Sequence, residues 1–106
     1  MFITMNSKEQ IIENLKDWLK NTNVILYSDN IPFRCSDKEL CELRNGKKKE
    51  IYIVTFHTKD YIKYNKNGEI IMLIEGKMCF AHFDAETFEL LYIITNTGYI
   101  EPDGSY

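Results

Sequence analysis

A change of period near Glu50 limits the fold more than any other feature of this chain. Beyond it come five short stretches: Ile51 to Phe56, Tyr61 to Tyr64, Ile70 to Ile74, Met78 to Phe83 and Phe88 to Thr95. All are rich in branched and aromatic side chains, which crowd a helix and suit an extended backbone, so five strands are predicted. Turn-forming residues separate them, and short breaks between successive strands favour an antiparallel meander. Asn67-Gly68 is the strongest turn signal, because both residues tolerate the positive φ of a type I′ hairpin. Glu75-Gly76-Lys77 and Asp84 to Thr87 are expected to form the next two turns.

Before Glu50 the pattern is helical. Ser7 with Gln10 has the spacing of a capping box, and Ile11, Ile12, Leu15, Trp18 and Leu19 fall on one face. These residues predict a helix over 8–20, ended by Asn21 to Asn23. Val24 to Tyr27 reads as a short strand. Ser36 with Glu39 repeats the capping spacing, so a second, two-turn helix is expected to run to Leu43, with Gly46 ending it. Glu101-Pro102-Asp103-Gly104 reads as a turn.

Together these readings predict an α+β fold in one domain, residues 1–106. An N-terminal helix and a short second helix pack on a curved antiparallel five-stranded meander sheet, the cystatin or NTF2-like class of arrangement. A chain of 106 residues can bury roughly two thirds of its unfolded surface without disulfides or metals. Apolar residues occupy both faces of two strands. Ile70, Met72 and Ile74 alternate with Ile71 and Leu73, and Phe88, Leu90, Tyr92 and Ile94 alternate with Leu91 and Ile93. One helix covers one face, so the other must be hidden by the second helix, by curvature around a pocket, by self-association or by a partner.

Several function classes are set aside by what the chain lacks. The longest apolar runs, such as Ile70 to Ile74, fall far short of the roughly 20 residues of a membrane span. The N-terminus has no secretory pattern, and three cysteines without a C-x-x-C pair suit a reducing compartment, so a cytoplasmic location is expected. Hydrolase, phosphate-binding, dinucleotide-binding and zinc-protease motifs are all missing, and no cofactor is expected. His82, Asp84 and Glu86 have a spacing compatible with a metal, but the two acids are more simply turn residues. His57, Lys59 and His82 could serve acid–base chemistry in a small ribonuclease, and Cys79 reads as an inert buried thiol. Lys47 to Lys49, Lys59, Lys63 and Lys66 interleave with Tyr52, Phe56, Tyr61 and Tyr64, as on a surface that binds single-stranded nucleic acid. The formal net charge of −3 opposes that reading.

Charge segregation gives the positive clue. From Glu69 onward there are seven carboxylates and one cation, Lys77, whereas Arg44 to Lys66 holds seven cations and two acids. An acidic C-terminal half complements a cationic protein surface and speeds encounter with it. The expected partner-binding set is Asp84, Glu86, Glu89, Glu101 and Asp103, with Tyr99 and Tyr106 as aromatic anchors. In size, charge and composition the chain looks like the immunity proteins that neutralise nuclease toxins exchanged between bacteria. Phage inhibitors of host defence, including anti-CRISPR proteins, look similar. The expected function is therefore a non-enzymatic inhibitor that masks a basic protein target. A ligand-binding or dimerising module, and a small ribonuclease, are the alternatives.

Overall fold

A computed structural model describes residues 6–105. Tyr106, one of the expected anchors, lies outside the described residues, as do residues 1–5. Among the described residues the fold is α+β, with one helix and an antiparallel sheet of six strands. Helix α1 spans Ser7–Thr22. Its cap is one residue earlier than the spacing suggests: the Asn6 side chain accepts from the Glu9 amide and donates to the Glu9 carboxylate, and Ser7 is already helical. Asn23 ends the helix in the left-handed region at φ 52°, its amide bonded to the Leu19 carbonyl. Ile11, Leu15 and Leu19 are buried against the sheet, each contributing about 1.5–3 kcal/mol of hydrophobic stabilisation.

The central pair of the sheet is β3 (Lys48–His57) with β6 (Met78–Asp84). On one side β6 is followed by β7 (Leu90–Ile94) and then β8 (Tyr99–Ile100). On the other, β1 (Arg34–Cys35) and β2 (Glu39–Glu42) share the outer edge of β3. Val54, Phe56, Cys79, Ala81, Phe83, Ile93 and Ile100 form the face that packs on α1.

The expected second helix is absent, and β2 stands in its place. The Ser36 hydroxyl does not cap a helix; it accepts the Ile53 amide across the sheet while the Ser36 amide donates to the Ile53 carbonyl. Asn45-Gly46, with Gly46 at φ 84°, closes a β2–β3 hairpin instead of ending a helix. Val24 to Tyr27 contributes only an isolated bridge, Tyr27 to Thr58. The last long strand begins at Leu90, because Phe88 adopts φ 62° within the preceding turn.

The five-stranded meander is also corrected. Strands β4 (Tyr61–Tyr64) and β5 (Ile70–Ile74) fall where the sequence places them, yet they pair only with each other, outside the main sheet. Their turn is not type I′, since Gly68 alone has positive φ there; the Asn65 side chain holds it by accepting the Asn67 and Glu69 amides. Between β5 and β6, Glu75-Gly76-Lys77 makes no reversal. Equal stretches of chain, Thr58 to Asp60 and Glu75 to Lys77, separate the pair His57–Met78 from the pair Tyr61–Ile74, so the register resumes without a slip. Strands β3–β4 and β5–β6 are thus one long antiparallel ribbon interrupted by a hinge.

At the hinge, side chains replace part of the backbone ladder. The Gly76 amide donates to the Asp60 carboxylate at 2.7 Å, and the Lys77 amide donates to the Thr58 hydroxyl at 2.8 Å. The 26–28 segment grips the same point from outside: the Lys59 amide donates to the Leu26 carbonyl and the Ser28 amide to the His57 carbonyl. Gly76 is required by close approach, because a Cβ there would sit 2.1 Å from the Thr58 carbonyl oxygen. The distal half of the ribbon consequently projects as an arm. The radius of gyration, 16.0 Å, exceeds the roughly 13 Å of a compact chain this long.

Gly76→Ala is expected to disorder the hinge and leave the core intact. Hydrogen exchange should lose protection in β4 and β5 while the Val54 and Ile93 amides keep theirs. Unchanged protection throughout the arm would contradict the close approach.

Candidate functional site

Two surfaces stand at opposite ends of the ribbon. One is the arm. Of the large apolar residues exposed among the described ones, more than half belong to it: Tyr61, Ile62, Tyr64 and all five residues of β5, with Ile71 57%, Met72 46% and Leu73 56% exposed. Paired residues share a face, so Tyr61, Ile74 and Met72 lie on one side with Lys63, and Ile62 and Leu73 on the other. Neither side rests on the body. Met78 and Phe80, also exposed, carry the apolar surface onto the second face of the sheet. A cleft of about 550 Å³ at the arm's root is lined by Leu26, Lys59, Tyr61, Ile74 and Asn96 among others.

The other surface is the β6–β7 turn, where Asp84, Glu86 and Glu89 meet. Asp84 is 5% exposed and organises that turn. One carboxylate oxygen accepts the Glu86 and Thr87 amides, at 2.8 and 3.2 Å, and the other accepts the Lys49 ammonium at 2.8 Å. The Lys49 bond, followed by the turn amides, holds the Asp84 carboxyl below its usual range. Glu86 and Glu89 remain exposed on the turn. Glu101 is elsewhere, paired with Arg44, and Asp103 accepts the amide and hydroxyl of Ser105 in the C-terminal turn. The expected acidic set is therefore divided between two turns, with Asp84, Glu86 and Glu89 in one and Glu101 and Asp103 in the other.

Arg44 is the residue sequence reasoning missed. It sits in the β2–β3 turn, four strands from β8, which in a flat sheet would be about 19 Å away. Yet its guanidinium lies 4.0 Å from the Tyr99 ring centre and 5.5 Å from that of Tyr92, besides pairing with Glu101. The sheet is curled so that its two edges meet over the face opposite α1. Curvature and the two cation-π contacts of Arg44 thus cover the end of that face where His82 stacks on Tyr92 at 4.6 Å. No local sequence signal marks this contact, whose partners are 57 positions apart.

The imidazoles do not converge. His82 pairs with Ile53, four positions along β3 from His57, or about 13 Å. Burial lowers the His82 pKa, and its Nδ1 lies 3.2 Å from the Phe80 carbonyl oxygen. Burial also pushes the Cys79 thiol up to about 11, which leaves it protonated and inert at neutral pH. No cluster of three or more potential metal ligands occurs among the described residues. The lysine–aromatic series divides as well: Phe56 enters the core, Tyr52 packs edge-on against Phe88, and Tyr61 and Tyr64 belong to the arm. No helix among the described residues is long and apolar enough to cross a membrane. The chain matches no protein-family model, no curated protein and no solved structure.

Asp84→Asn removes a carboxylate whose ionised form the fold favours. Since its folded pKa lies below the unfolded value, near 3.9, its contribution is complete at neutral pH and disappears as pH falls through the folded pKa. The variant is expected to be less stable than wild type at pH 7, with the gap closing as pH falls below the usual aspartate range. A urea-denaturation series across pH checks this; a gap independent of pH would contradict it.

Proposed function

We propose that this chain is a non-enzymatic cytoplasmic inhibitor of the immunity-protein type, which binds a basic protein such as a nuclease toxin and masks it. A helix laid across one face of a curled antiparallel sheet, as in cystatin or NTF2-like arrangements, serves here as a rigid frame for surface loops. The observation that carries this reading is the β6–β7 turn. Asp84 and Lys49 fix its backbone, while Glu86 and Glu89 stand in solvent without an ion-pair partner among the described residues. Carboxylates presented on a pre-ordered turn attract a cationic surface at little ordering cost. Tyr99, partly exposed beside the Arg44–Glu101 pair, adds an aromatic contact of the kind enriched at interface centres.

The separation of His57 from His82 favours this reading over a ribonuclease, which needs acid and base groups around one scissile bond. The steering role is tested by capturing a basic protein from source-cell lysate on the immobilised chain and measuring its association rate against salt. Glu86→Lys with Glu89→Lys is expected to slow association on the order of tenfold at low salt and to flatten the salt dependence. Equal rates for the two forms across the titration would contradict the proposal.

A further inference from the structure

We propose that the β4–β5 arm is a self-association surface, on which two copies of this chain pair antiparallel through the free edge of β5 about a two-fold axis at Met72. The arm is a two-stranded ribbon, marginal in water by itself. Pairing at the β5 edge with a second copy makes one four-stranded sheet in which the half-exposed side chains of β5 gain apolar neighbours. The hinge prevents the arm from covering itself against its own body, because register and hydrogen bonding continue straight through Thr58 and Lys77.

The chemistry of the two edges selects the strand. β4 carries Lys63 and is flanked by Lys59, Asp60 and Lys66, the charged guards that keep an edge strand from pairing. β5 reads Ile-Ile-Met-Leu-Ile with no charge, nearly the same in both directions. Two-fold pairing at Met72 sets Ile70 opposite Ile74 of the second copy and Ile71 opposite Leu73, all apolar cross-strand pairs. The two arm strands hold a single charge between them, Lys63. Within the paired strands a second copy therefore meets no like-charge opposition, and nucleic acid, an anionic membrane or a strongly charged protein finds little to pair with. At the margins Glu69 of each copy faces Glu75 of the other, a like-charge opposition that moderates the affinity and marks the register. In such a dimer the two β6–β7 turns point outward, free for a target.

Sedimentation equilibrium of the whole chain from about 1 to 100 µM reads the association. Wild type is expected to dimerise in this range. Ile71→Lys with Leu73→Lys should weaken the dimer at least tenfold while circular dichroism stays native, since neither side chain is in the core. Glu69→Lys, which sets a cation opposite Glu75, should tighten it several-fold. A monomeric wild type, an equally tight dimer in the lysine variants, or no tightening by Glu69→Lys would each overturn the proposal. A monomer that instead binds anionic vesicles or an unrelated protein through the arm would overturn it in favour of that occupant.

Discussion

The pairing of β3 with β6 is the interaction on which everything else in this molecule rests. Its inner half supplies most of the face that meets α1, and its outer half, carried through the hinge in the same register, has no face to meet at all. Backbone hydrogen bonds alone rarely hold a two-stranded ribbon in water, so the arm depends on its root. That root is unusually well tied: Thr58 and Asp60 bond to Gly76 and Lys77 from within, and the 26–28 segment grips from outside. Glycine at position 76 lets the two backbones come close enough for these bonds to form.

Curvature is the second organising element. A strongly twisted small sheet brings its edges together over one face, and Arg44 closes that gap with contacts to Tyr92, Tyr99 and Glu101. The same face opens toward the arm, where Phe80 and Met78 are exposed. One sheet thus presents a closed, charged end and an open, apolar end. The proposed division of labour follows from that polarity, with the acidic turn available to a target and the arm available to a second copy.

Legibility in the sequence was uneven for physical reasons. Alternation and side-chain branching located β4 and β5 to the residue, because strand existence is a local property. Strand partners are not local. An apolar residue on each side of a strand marks burial between two layers or exposure of both faces equally well, and in β5 it is the latter. The spurious second helix arose from Ser36 and Glu39, whose spacing imitates a cap, although Asn45-Gly46 offered the hairpin signal that should have outweighed it. Of the expected acids, Asp84 was recognisable as a turn former. Glu101 was not separable from Glu86 and Glu89, because its neutralising partner Arg44 arrives only through the curl of the sheet.

The central claim, that the ribbon continues in register beyond the core as an uncovered arm, is tested most directly by site-resolved nuclear Overhauser contacts. Cross-strand contacts between Tyr61 and Ile74 and between Ile62 and Leu73 are expected, with none from these residues to α1 of the same chain. Contacts from the arm to Leu15 or Phe56 of its own body would show it folded back on the core, and the account would fail.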